Sequence, residues 1–211
     1  MILLAEVSAI FPVNAYFFVD DATNRGFLID PGAQADELLK IIDKHGFTIE
    51  KILLTHGHFD HIGAVNEIRQ SLKIPVFMHK NGADYVKNPQ WNLSDQFGLD
   101  IVIDDVNFLD DGAELTLSEN FSLKLIAAPG HTTDGAIFYS AAANVAFVGD
   151  TIFKSSIGRT DFYGGNEAQL HDTITEKIFA LPDETVLLSG HSEPTTVADE
   201  KYFFSRVNFF D

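Results

Sequence analysis

The chain has 211 residues and a formal net charge of −17 at pH 7, with 31 acidic side chains against 14 basic ones. That balance argues against a nucleic-acid partner, since gripping a polyanion takes clustered Lys and Arg, and no apolar run reaches the ~20 residues of a membrane-crossing helix. Cysteine is absent, which removes disulfides and a cysteine nucleophile, while 45% apolar residues, 19 of the 211 being Phe, suffice for the core of a single domain over 1–211.

The opening Met1-Ile2-Leu3-Leu4-Ala5-Glu6 lacks the basic head of a signal peptide, so a cytoplasmic protein without a membrane partner is expected. Residues 1–9 and 14–19 read as strands, 20–26 as a turn and 27–29 as the return strand of a hairpin. Asp30-Pro31-Gly32 breaks that strand. Residues 33–45 form an amphipathic helix, with Leu38, Leu39, Ile41 and Ile42 on one side and Gly46 as its stop. A buried strand at 51–54, a helix at 62–72 and a strand at 74–78 follow. Residues 81–105 show no clear period, and a short helix followed by a long loop is expected there. From 106 the texture turns to β, with strands at 106–109, 114–117, 121–127, 136–139 and 145–148. A polar, Gly-rich loop at 154–166, a helix at 167–180, a strand at 185–188 and a helix at 198–206 complete the chain. Tyr202-Phe203-Phe204 and Phe209-Phe210 read as core packing or a subunit contact. Alternation, then strands in series, then alternation again suits two packed sheets with helices outside.

One stretch carries most of the chemistry: Thr55-His56-Gly57-His58-Phe59-Asp60-His61, set where the strand at 51–54 hands over to a helix. His56 and His58 are two apart, so in extended backbone both project to one side and can grip one ion. Asp60 and His61 follow where the chain turns into the helix and can reach a second, adjacent ion. Imidazole and carboxylate suit zinc, iron or manganese, and no thiolate biases the choice. Three later places repeat the arrangement of an apolar run, a glycine and a ligand type: Gly130-His131, Gly149-Asp150 and Gly190-His191. Strands of one sheet ending on the same side would bring these to the first cluster. Two ions of four or five coordinates, sharing a carboxylate and a hydroxide, need about seven protein ligands. His56, His58, Asp60, His61, His131, Asp150 and His191 make up that number. Of the other histidines, His45 suits a helix C-terminus, His79 ends a strand and is at most a supporting contact, and His171 lies on an exposed helix face.

The pattern His56-x-His58-x-Asp60-His61 with later His131, Asp150 and His191 resembles the metallo-β-lactamase superfamily over nearly the whole chain, and Asp30-Pro31-Gly32 and Pro129-Gly130-His131-Thr132 match it too. Phe147-Val148-Gly149-Asp150-Thr151-Ile152-Phe153, followed by Gly158-Arg159-Thr160-Asp161, points to its glyoxalase II-like hydrolases. The resemblance implies an α/β fold, the four-layer αββα sandwich. It implies a first metal on His56, His58 and His131, a second on Asp60, His61 and His191, and Asp150 as the bridge. True β-lactamases of the superfamily often have Cys at the position of Asp150 and lack the histidine at His61, so an antibiotic-resistance enzyme is not expected. The superfamily usually has glycine where this chain has Ser192, and often where it has Asp134. Full-length glyoxalase II carries a C-terminal glutathione-binding domain, for which the 211 residues leave no room. Arg159 falls where the family places a basic glutathione-binding residue, and Lys154 and Tyr163 are neighbouring candidates for substrate binding.

The reaction so implied is hydrolysis of a small-molecule thioester by a hydroxide shared between two divalent ions, with zinc expected for its softness toward thiolate and iron or manganese as the other candidates. Asp60 orients the hydroxide, and the absence of Cys and of G-x-S-x-G fits a reaction without a side-chain nucleophile. Two readings compete: a sulfur (persulfide) dioxygenase with one iron on two His and an Asp, and a non-catalytic binding module stabilised by metal.

Overall fold

Side chains turn alternately inward and outward along β1 (Ile2–Ser8), so that Ala5 and Val7 are buried and Leu4, Glu6 and Ser8 are exposed. The computed structural model describes residues 1–207, and its backbone gathers into two units, Met1–Leu109 and Asp110–Asp211.

In the first unit β1 pairs antiparallel with β2 (Pro12–Val19), which is buried beyond its first residue and pairs in turn with β3 (Arg25–Ile29). β4 (Thr48–Leu54), β5 (Val76–His79) and β6 (Val106–Leu109) then add in parallel, giving the order β1-β2-β3-β4-β5-β6. Parallel neighbours need crossovers; α-helices supply the first two, and a segment of 3₁₀ turns the third. The helix α1 (Ala35–His45) joins β3 to β4, with Asp36 and Glu37 in its first turn and Lys44 and His45 in its last, the signs its dipole favours. Leu38 and Ile42 of α1 share one core with Phe17, Leu28, Ile52 and Leu54 of the sheet.

The helix expected over 62–72 is split into α2 (Phe59–Ile62) and α3 (Val65–Leu72). The break has a cause: the Ala64 N–H leaves the helical ladder and donates to the carbonyl of Pro31 at 2.9 Å. Residues 81–105 hold no α-helix. They contain the 3₁₀ turns Lys80–Ala83, Tyr85–Lys87 and Ser94–Phe97. Buried Asn92 organises this segment, since its amide donates to the carbonyls of Tyr85 (3.0 Å) and Ile101 (2.9 Å) and its Oδ1 accepts the Ser94 N–H at 3.0 Å. The Asn92 carbonyl also accepts the Phe59 N–H at 2.9 Å, which ties the segment to the loop of histidines.

The second unit runs through β7 (Glu114–Ser118), β8 (Phe121–Ala127), β9 (Ala136–Ser140) and β10 (Val145–Gly149). The loop expected at 154–166 begins with a small hairpin, β11 (Ile152–Phe153) and β12 (Ser156–Ile157). Then come α4 (Glu167–Thr173), a π turn over Ile174–Ile178 that keeps both end residues buried, β13 (Val186–Ser189), β14 (Thr195–Thr196) and α5 (Val197–Val207). The sheet order is β14-β13-β10-β9-β8-β7, and the pairing of β10 with β13 is parallel. Ile137, Ala146 and Val148 of the sheet pack with Leu170, Ile174 and Phe204 of the helical segments. Phe204 is thus core, whereas Tyr202 is exposed. Phe209 and Phe210 lie outside the described residues. Each unit is a sheet carrying helices, the α/β class expected. Among the described residues no helix is long and apolar enough to cross a membrane.

Phe17 is fully buried and packs 5.8 Å from the ring of Phe47. Phe17→Ala should lower stability by about 3–5 kcal/mol. In urea denaturation this reads as a lower midpoint at unchanged slope.

Candidate metal centre

The first cluster of donors begins where β4 ends. His56, His58 and His61 are all buried. His56 Nε2 lies 3.1 Å from His58 Nδ1. Two donors each about 2.0–2.1 Å from one tetrahedral ion stand about 3.3 Å apart, so this spacing fits a shared metal. Donor atoms of His56 and His61, and of Asp60 and His61, also come within 4.8 Å of each other.

Asp30 sets the orientation of these rings. Its Oδ1 accepts the Thr55 N–H at 2.8 Å, and its Oδ2 accepts the Thr55 hydroxyl at 2.6 Å. Having given its proton to Asp30, the Thr55 hydroxyl can only accept from His56 Nδ1, 3.1 Å away. Asp30 Oδ2 likewise accepts from His61 Nδ1 at 2.9 Å. Both rings then carry their lone pair on Nε2, the form a metal takes. Asp30 adopts a left-handed φ of 49°, which a short polar side chain tolerates, and this turns its carboxylate inward. Beside it, a Cβ on Gly32 would stand 1.6 Å from the Asp60 carbonyl oxygen, so only glycine lets the turn lie against α2. Burial pushes the Tyr16 phenol up, partly opposed by a hydrogen bond with Asn14 and reinforced by the charge of Asp30.

The second cluster lies in the second unit. His131 Nε2 and His191 Nε2 stand 3.7 and 3.4 Å from the same oxygen, Asp150 Oδ2. These distances again suit donors sharing an ion, and the set holds only imidazole and carboxylate. His131 Nδ1 donates to the Arg159 carbonyl at 2.6 Å, which puts its lone pair on Nε2. Asp150 and His191 sit at the ends of the parallel pair β10 and β13, so adjacent strands deliver them side by side. Donor type and the spacing of these pairs therefore suit divalent metal ions.

Arg159 makes a two-pronged contact with Asp161, Nε to Oδ1 and Nη2 to Oδ2, each 2.6 Å, and lies 4.1 Å over the ring of Phe162. Lys154 pairs with Glu193 at 2.9 Å, and Tyr163 is exposed. The departures from the family pattern are built in differently: Asp134 is fully buried, and Ser192 is hydrogen-bonded within its turn. The spacing of motifs did not reveal Asp30 as a ring holder, because its partners lie 25 and 31 residues downstream.

The sequence profile of the metallo-beta-lactamase superfamily matches residues 9–191, and the chain belongs to that superfamily. It is 36% identical over 190 residues to "Probable metallo-hydrolase YqgX" of Bacillus subtilis (strain 168), covering 89% of each chain. It is 32% identical over 194 residues to "Hydroxyacylglutathione hydrolase GloC" of Haemophilus influenzae (strain ATCC 51907 / DSM 11121 / KW20 / Rd), covering 90% of this chain and 91% of that one. Among solved structures, BLEG-1 B3 metallo-beta-lactamase superposes with a TM-score of 0.91 at 33% identity over 100% of this chain and 99% of that one. TTHA1623 in a di-iron-bound form gives 0.85 at 29% identity over 94% and 96%. The fold is the metallo-β-lactamase fold, and the superfamily is one of metallo-hydrolases.

Removing the holder of the rings tests this account. Asp30→Ala should weaken metal affinity by about 10–100-fold. Chelator competition on the metal-loaded protein measures it, and unchanged affinity would remove Asp30 from the site. A second expectation concerns Arg159, whose guanidinium holds the Asp161 carboxyl down to about 2 from 3.8. Because the folded value is depressed, the pair's contribution is complete above pH 3.8 and fades as pH falls through about 2. Carboxyl NMR should show Asp161 titrating near 2, returning toward 3.8 in Arg159→Gln.

Proposed function

We propose that the chain is a metal-dependent thioesterase acting on an S-2-hydroxyacylglutathione type of substrate. The observation that carries this reading is the 32% identity to a hydroxyacylglutathione hydrolase over nine-tenths of both chains. In this reading the two clusters serve one pair of divalent ions. His56, His58 and His131 would hold the first, Asp60, His61 and His191 the second, and Asp150 would serve both. The pair is supported by the di-iron form of TTHA1623; zinc is the leading metal, with iron or manganese as alternatives.

When bound, the ions lower the pKa of water toward 7 and polarise the substrate carbonyl. The chain does the rest. Asp30 holds His56 and His61 in the ligating tautomer through Thr55 and its own Oδ2. Asp60 orients the attacking water toward the carbonyl carbon. A C–O bond forms from the water oxygen to the acyl carbon and the C–S bond breaks; of the water's two protons one passes to the leaving thiolate and the other to solvent, leaving a carboxylate and a thiol. Arg159, Lys154 and Tyr163 bind the thiol carrier. Asp161 and Glu193, now on Arg159 and Lys154, compete with any carboxylate the carrier presents, and so make its binding salt-dependent.

The test is a panel of thioesters, esters, lactones and β-lactams offered to metal-reconstituted protein, with oxygen uptake on a persulfide followed in parallel. Thioester hydrolysis with two ions per chain is expected. A chelator should abolish it, and Asp60→Ala should slow it by about 10²–10⁴-fold. β-Lactam cleavage without thioesterase activity would favour the chemistry named for BLEG-1. Oxygen uptake with a single iron would replace the proposal by a dioxygenase.

A further inference from the structure

Apart from the Lys154 side chain at its tip, the hairpin of β11 and β12 has no part in the reaction described, yet it touches every ligand-bearing segment of the second unit. Its first strand starts two residues after Asp150. At its exit a Cβ on Gly158 would stand 1.8 Å from the Asp150 carbonyl oxygen, so the hairpin lies directly on that residue. The next residue, Arg159, supplies the carbonyl that orients His131. The ring of Phe153, in β11, stands edge-on to His191 with centroids 6.1 Å apart.

The tip of the hairpin is fastened at two points. The Lys154 N–H donates to Ser192 Oγ at 3.0 Å, and the Ser155 N–H donates to Glu200 Oε2 at 2.9 Å. Ser192 follows His191 directly, and its Oγ also lies 2.7 Å from Ser189 Oγ, which accepts the Ser192 N–H at 3.2 Å. One hydroxyl thus joins the end of β13, the turn that carries His191 and the hairpin tip. A glycine at this position would have no such hydroxyl. Glu200 is 1% exposed, and its other oxygen accepts the Thr195 hydroxyl at 2.6 Å. A carboxylate is costly to bury, and these bonds are what its position secures. His191 needs the help most: its side chain is 25% exposed, against 6% for His131 and 10% for Asp150, so packing holds it least.

We propose that Ser192 and Glu200 are positioning residues, fastening the β11–β12 hairpin to the His191 turn so that His191 is fixed against Asp150 for holding a metal ion. The proposal rests on the metal-ligand reading above. A donor already held in place loses less freedom when it binds, and the ion is held more tightly.

Zinc-loaded full-length protein titrated with a chelator tests this, reading the release of each ion. In Ser192→Gly and Ser192→Ala one of two ions should leave at about tenfold lower chelator concentration, with the other unchanged. Ser192→Thr, which keeps the hydroxyl, should behave as the parent. Glu200→Gln should shift the same ion, and His191→Ala should lose it. Should Glu200→Gln not fold, the Ser192 series decides. The proposal is overturned if Ser192→Gly releases both ions as the parent does, or weakens both equally. It is also overturned if the parent holds one ion that is indifferent to His191→Ala. Thioester turnover by such a one-ion protein would leave the proposed reaction standing while removing the fastening, so the two failures are distinguishable.

Discussion

A single buried carboxylate, that of Asp30, holds the geometry of the first cluster. It accepts a backbone N–H and a hydroxyl from Thr55 and a ring nitrogen from His61, and through Thr55 it also sets His56. A carboxylate is costly to bury without partners, and these three bonds satisfy it. The same bonds choose the tautomers, so folding and metal readiness are one event here. Asp30 reaches this position because β3 ends there in a left-handed turn. The turn then packs on α2 through Gly32, and its Pro31 carbonyl takes the amide that breaks the helix after Ile62.

The second cluster meets the same requirement by other means. A backbone carbonyl, that of Arg159, orients His131, while adjacent parallel strands deliver Asp150 and His191. Strand ends are a rigid platform, and the loops beyond them are where chemistry can be placed without disturbing the core. The β11–β12 hairpin extends that platform by bracing the loops themselves.

Much of the fold was legible because its signals are local. Alternation over Ala5–Ser8 of β1, the apolar face of α1 and the apolar runs of β4 and β13 report burial directly. Where a partner distant in sequence wins, local signals fail. The 62–72 helix is interrupted because Pro31 takes an amide, and the 81–105 segment is organised by Asn92 rather than by any helical period. The hairpin inside the 154–166 stretch is two short strands of two residues each, too brief for alternation to show.

By themselves the residues determined the chemistry available: imidazole and carboxylate donors, no thiol, and the spacing of His56, His58, Asp60 and His61 within one strand-to-helix junction. They also determined the family, whose signature lies in residue types at the ends of apolar runs. Only the tertiary structure decided which groups hold those donors in place. Asp30 meets Thr55 and His61 across 25 and 31 residues, Arg159 meets His131 across 28, and Ser192 meets Lys154 across 38. Such contacts leave no period in the sequence, because a hydrogen bond depends on where two backbones arrive in space and not on the distance between them along the chain.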